Sequence, residues 1–123
     1  MRKCPYCDFN SHEGDIQADY IKVLLKDLDN DLKYLQDRRI HSIFIGGGTP
    51  SLMSANDSFE LFEGLKTRLS LPKNIEITLE ANPGTFEIDK FTQFREAGVN
   101  RLSIGAQSFN NKQLKFLGRI HNG

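Results

Sequence analysis

The sequence predicts an α/β fold of parallel strands alternating with helices, arranged either as an open doubly wound sheet or as part of a (β/α) barrel. Short apolar runs with a period of two alternate along the chain with stretches of helical period, and the connections between them are short. The unusual residues also cluster where strands end: Gly46-Gly47-Gly48-Thr49-Pro50, Glu80-Ala81-Asn82-Pro83 and Gln107-Ser108-Phe109. In both arrangements ligands bind at the C-terminal ends of the strands. Three successive strand ends bearing glycine or polar groups are hard to explain by packing alone.

A polar stretch runs through Gly14 and predicts irregular structure. Ile16, Tyr20, Val23, Leu24, Leu28, Leu32 and Leu35 then recur at helical spacing up to Arg38-Arg39, which predicts one long amphipathic helix. Ser42 to Ile45 reads as a buried strand entering the glycine loop. Ser54 is placed to cap a second helix reaching about Leu69, with Phe59, Phe62 and Leu65 as its packing residues. Ile75, Ile77 and Leu79 alternate with Glu76, Thr78 and Glu80, a strand stopped by Asn82-Pro83-Gly84. Asp89 to Ala97 supplies the next helix and Gly98 its stop. From Arg101 to Gln107 a third strand is expected, with Leu102, Ile104 and Ala106 opposing Arg101, Ser103, Gly105 and Gln107, and a last helix begins near Asn110. The chain carries no internal repeat and no low-complexity linker.

With 123 residues the chain suits one small domain, whereas a (β/α) barrel usually takes roughly twice that length. A barrel therefore requires further segments. The 16 basic and 16 acidic side chains cancel, and no basic stripe is interleaved with aromatics, which argues against a nucleic-acid partner. Apolar runs such as Ile43-Phe44-Ile45 fall far short of the ~20 residues that cross a bilayer, and no signal-peptide pattern opens the chain, so a cytoplasmic protein is expected. Its two cysteines, Cys4 and Cys7, have a spacing commoner in metal or redox sites than in structural disulfides, which fits a reducing compartment.

Cys4-Pro5-Tyr6-Cys7 reads as half of an iron-sulfur site, since thiolates at this spacing can converge on one cluster. The tetrapeptide serves equally well as a thiol-disulfide active site of the glutaredoxin type; two unligated buried cysteines are the minor alternative. A glutaredoxin needs a strand ahead of its cysteines and a Thr-Val-Pro turn downstream; three residues precede Cys4, and no such turn follows. Gly46, Gly47 and Gly48 allow backbone groups to approach a ligand closely, or make an ordinary tight turn. Neither a Gly-x-Gly-x-x-Gly fingerprint nor a Gly-Lys-Ser/Thr phosphate loop is present, so no dinucleotide or nucleotide-hydrolysing site is supported. Glu80 can accept hydrogen bonds from a ribose or an amine, or stand solvated, and Gln107 can both donate and accept. His12, His41 and His121 have no metal-ligand spacing to one another.

Taken together, five segments resemble the oxygen-independent coproporphyrinogen III oxidase family of radical S-adenosylmethionine (SAM) proteins, and more closely its HemW branch of haem chaperones. They are 2–12 (RKCPYCDFNSH), 43–52 (IFIGGGTPSL), 80–85 (EANPGT), 100–109 (NRLSIGAQSF) and 117–121 (LGRIH). The resemblance spans nearly the whole chain and implies that residues 1–123 are a fragment of a single radical-SAM core domain. In such proteins Cys-x-x-x-Cys-x-x-Cys binds three irons of a [4Fe-4S] cluster, and SAM binds the fourth. Cys4 and Cys7 match the second and third cysteines of that motif. Tyr6 would lie against the SAM adenine, and Gly47, Gly48 and Thr49 would line its methionine end. Glu80, Gln107 and Arg119 match further SAM-contacting positions.

By the same resemblance the first cysteine lies one residue before Met1, together with the first barrel strand, and the later strands lie beyond Gly123. Two thiolates leave one iron without its protein ligand, so these 123 residues by themselves are expected to hold no stable cluster. Cys-Pro-Tyr-Cys-Asp-Phe-Asn-Ser-His is similar to the chaperone branch; the oxidase branch carries a further cysteine after a glycine, and Asp8-Phe9 offers none. The implied function is binding of haem and its transfer to respiratory haem proteins. The alternatives are an oxidoreductase converting coproporphyrinogen III, a thiol-disulfide oxidoreductase using Cys4 and Cys7, and a fragment without function.

Overall fold

Three strands lie side by side in the order β1-β2-β3, all parallel, in the computed structural model, which describes residues 4–9, 17–83 and 88–123. They are β1 (Ser42–Ile45), β2 (Glu76–Ala81) and β3 (Arg101–Ile104). Helix α1 (Tyr20–Leu35) precedes β1, α2 (Ala55–Arg68) and α3 (Ile88–Ala97) make the two crossovers, and α4 (Asn111–Phe116) follows β3. The expected parallel α/β order is therefore present, with the sheet in register Ile43 to Ile77, Phe44 to Thr78, and Glu80 to Ser103.

Period-two alternation divides the sheet into two faces. Ile77 and Leu79 of β2 point into the core with Leu61 and Phe62 of α2, Phe94 and Ala97 of α3, and Ile21 and Leu25 of α1. The other face carries Ser42 and Phe44, Glu76, Thr78 and Glu80, and Arg101 and Ser103. There Arg101 Nη1 lies 3.4 Å from both Glu76 Oε1 and Thr78 Oγ1.

Helix α1 begins at Tyr20, and the expected start at Ile16 lies outside the described residues. Its buried stripe is Ile21 and Leu25, continued by half-buried Leu28 and Leu32. These positions recur at i, i+4, i+7 and i+11, one side of a helix; Tyr20, Val23 and Leu24, expected in the core, fall off that side and are exposed. Ser54 does cap α2: its Oγ accepts from Asp57 N–H at 3.1 Å, and Asp57 Oδ2 accepts from Ser54 N–H at 3.1 Å. This reciprocal pair satisfies two donors that a helix start leaves open. The packing residues of α2 are Leu61 and Phe62 with half-buried Leu65, whereas Phe59 is exposed, a correction to the expected set.

The β2–β3 register is fixed by Asn100. Its Oδ1 accepts from Ile77 N–H at 2.8 Å and its Nδ2 donates to Ile75 O at 2.8 Å, so one side chain continues the ladder below the strand. Gly98, at φ +132°, ends α3 as expected. The strand expected through Gln107 stops at Ile104, because Gln107 turns the chain at φ +66°. Leu102 and Ile104 alternate as expected yet stay exposed.

Candidate functional site

Parallel pairing brings the three unusual loops to one edge of the sheet. Gly46 is required there: a Cβ would meet Phe44 Cε1 at 2.8 Å and Glu80 Oε2 at 3.2 Å. Gly47 sits at φ +122°, and neither it nor Gly48 has an atom within 4 Å of a hypothetical Cβ, so their backbone faces open space. Glu80 is not merely solvated, since its Oε2 accepts from Gly47 N–H at 3.2 Å and ties the end of β2 to the loop after β1. Thr49 Oγ1 donates to Gly48 O at 2.7 Å and lies 3.2 Å from Asn82 Nδ2, which donates to it.

Arg119 joins this edge to the cysteine loop. Its Nη2 donates to Asn82 Oδ1 at 2.9 Å and to Gly105 O at 2.6 Å; its Nη1 donates to Tyr6 Oη at 3.2 Å and lies 3.9 Å from Cys4 Sγ. One planar cation thus spans the ends of β2 and β3 and the segment carrying both thiols. Within that segment Cys7 N–H donates to Cys4 O at 3.0 Å, a single turn with both cysteines free and half-buried. Burial and a hydrogen bond with Cys4 hold the Tyr6 phenol above its ordinary pKa of 10.0, opposed by the Arg119 charge.

The model of the Radical SAM superfamily matches residues 1–123. The chain belongs to the radical SAM superfamily. It is 56% identical over 124 residues to the heme chaperone HemW of Escherichia coli (strain K12), an alignment covering 98% of this chain and 33% of that protein. It is 39% identical over 122 residues to the mitochondrial radical S-adenosyl methionine domain-containing protein 1 of Bos taurus, with 98% of this chain and 28% of the relative covered. The fold matches the radical SAM enzyme coproporphyrinogen III oxidase (HemN) of Escherichia coli with a TM-score of 0.74 at 26% identity, over 84% of this chain and 24% of that one. The chain spans about a third of the length of the curated HemW relatives.

Radical SAM proteins combine a [4Fe-4S] cluster with SAM, and the donor set here fits a share of both. Cys4 and Cys7 are unpaired soft donors suited to cluster iron, although the described residues bring no three His, Cys, Asp or Glu side chains together. Open backbone at Gly47 and Gly48, with the Glu80 carboxylate on Gly47 and Arg119 joined to Thr49 through Asn82, suits the charged ammonium and carboxylate of an amino acid.

Of the residues singled out from sequence, Arg119 meets Cys4 and Tyr6 directly and Thr49 through Asn82, and Glu80 separately meets Gly47. Gln107 lies next to them, with its Nε2 3.1 Å from where a Gly105 Cβ would stand. It is not a strand residue: Ser108 N–H donates to Ala106 O at 2.8 Å, closing a three-residue turn about Gln107. Holding a non-glycine residue in this left-handed region costs on the order of 1–3 kcal/mol, and such strain gathers at functional sites. Two participants carry no assigned role in the sequence, Asn82 and His121. Asn82 stands only as part of an unusual strand end, and His121 only as part of the 117–121 segment and as a histidine without metal-ligand spacing, because its partner is a backbone carbonyl.

Proposed function

We propose that the full-length protein is a cytoplasmic haem chaperone of the HemW kind and that these residues form the cofactor-holding part of its radical SAM domain. Cys4 and Cys7 supply two of the cluster's protein ligands. Tyr6 lies against the SAM adenine. Gly47, Gly48 and Thr49 line the methionine end, while Glu80, Gln107 and Arg119 receive its polar groups. The observation that carries this reading is the Arg119 contact set, which places a cation at once beside Cys4, Tyr6, Asn82 and Gly105. That juxtaposition suits a cluster and an amino-acid ligand bound next to each other.

When bound, the cluster and SAM supply one-electron chemistry that side chains cannot. The chain's own residues bind and orient. Glu80 has a second carboxylate oxygen beyond the one engaged by Gly47, so it can meet an ammonium group. The guanidinium of Arg119 can pair with a carboxylate. Identity to a protein named as a heme chaperone supports haem as cargo and haem proteins as receiving partners.

Anaerobic reconstitution of the full-length protein with iron and sulfide tests this, with about four irons per chain expected. Both Cys4→Ala and Cys7→Ala should lose the cluster's visible absorption. Haem should bind, and coproporphyrinogen III should remain unconverted. Efficient anaerobic conversion of coproporphyrinogen III would overturn the chaperone reading in favour of the oxidase branch.

A further inference from the structure

We infer that His121 is a positioning residue for Gln107, acting through the carbonyl of Ala106. Arg119 and His121 follow α4 and grip two consecutive carbonyls at the end of β3. Arg119 Nη2 donates to Gly105 O at 2.6 Å, and His121 Nε2 lies 3.1 Å from Ala106 O. A carbonyl can only accept, so Nε2 carries the proton and His121 is the donor. That same Ala106 oxygen accepts from Ser108 N–H at 2.8 Å, the bond that closes the turn about Gln107.

The backbone explains why a second donor is needed there. Gln107 stands at φ +66°, a conformation that L residues other than glycine adopt at a cost and that persists only when its surroundings hold it. A three-residue turn of positive φ is the rarer and more strained kind. A second donor on that oxygen opposes relaxation of the turn. Fastening the preceding carbonyl through Arg119 fixes the approach, so the two side chains set the direction in which Gln107 projects.

A separate observation distinguishes this from a packing role. His121 Nδ1 is buried and finds no hydrogen-bond partner among the described residues. A buried, unsatisfied acceptor destabilises a protein. If His121 served only to fill space, phenylalanine would do so without that penalty. The imidazole therefore owes its place to the donor at Nε2.

The inference rests on the reading of Gln107 as a SAM contact, and the experiment separates the two. In the full-length reconstituted protein, His121→Phe keeps the ring volume and removes the donor, whereas His121→Gln restores a donor near the Nε2 position. His121→Phe should speed amide exchange in the 104–109 segment and weaken SAM binding by equilibrium dialysis, each roughly three- to tenfold, without lowering Tm. His121→Gln should recover both to within about twofold. In the unmodified protein, imidazole 15N shifts should show the Nε2–H tautomer.

Unchanged exchange in His121→Phe, no recovery in His121→Gln, or an Nδ1–H tautomer overturns the inference. If the unmodified protein binds no SAM, the reading of Gln107 fails, while exchange and tautomer still decide the role of His121. Should His121→Phe not fold, the tautomer and the His121→Gln exchange rate decide it.

Discussion

Arg119 ties together more of the site than any other single side chain described here, because a guanidinium offers donors in a fixed plane that one ammonium cannot reproduce. Arg119→Lys should accordingly weaken SAM binding by the full-length protein roughly tenfold or more, read by equilibrium dialysis, although the charge is kept. The same cation opposes the upward shift of the Tyr6 phenol, so Arg119→Gln should move that pKa further up. Because the folded-state value lies above the ordinary 10.0, the neutral phenol is the favoured form. Its stabilising contribution is complete below that pH and is lost as pH rises through the folded value. A phenolate absorbance titration compared with Tyr6→Phe checks both the direction and its increase in Arg119→Gln. At this scale the sequence names Cys4, Cys7, Glu80 and Arg119 through their motifs, and the structure adds the side-chain contacts of Cys4, Glu80 and Arg119. The sequence did not reveal Asn82 as the bridge between Thr49 and Arg119, since a bridging amide is defined by two partners remote in sequence.

Helix α1 reaches the sheet's helices through a close contact. A Cβ at Gly64 of α2 would come within 2.6 Å of Leu25 Cδ2 and 3.1 Å of Leu25 Cγ. Gly64→Ala sets a gain of about 1 kcal/mol in helix propensity against ~1–3 kcal/mol for overpacking, so a net loss of about 1 kcal/mol is expected. In a Leu25→Ala background the obstacle is gone, and the same change should stabilise by about 1 kcal/mol. Denaturant midpoints at constant m measure the reversal of sign. A sequence reading places Gly64 inside a helix and can only count it as a weakness. The element boundaries show the same division. The β1 and α2 limits were legible because a short apolar run and a capping serine are local signals, whereas β3 was read too long: Ala106 and Gln107 continue the alternation, but tertiary bonds turn the backbone there.

At the scale of the whole molecule, β1 and β3 are the outer strands of the sheet formed by the described residues and have no further strand paired to them there, and Phe44, Leu102 and Ile104 on these strands are exposed. Open parallel edges next to apolar surface are templates for association. Expressed by itself, the 123-residue segment should elute above its 14.0 kDa monomer mass in a concentration-dependent way, and Ile104→Lys should reduce this. Elution as a monomer at all concentrations, seen by light scattering, would count against that expectation. No described helix is long and apolar enough to cross a membrane. What the sequence by itself determined was the alternation of strand and helix, the family, and the set of chemically capable residues, because period, capping and motif spacing are properties of neighbours along the chain. Only the tertiary structure decided which of those residues meet. Parallel pairing brings the ends of β1, β2 and β3 to one edge, and there the reach of Arg119 and the strained backbone at Gln107 depend on atoms contributed by segments up to 115 residues apart.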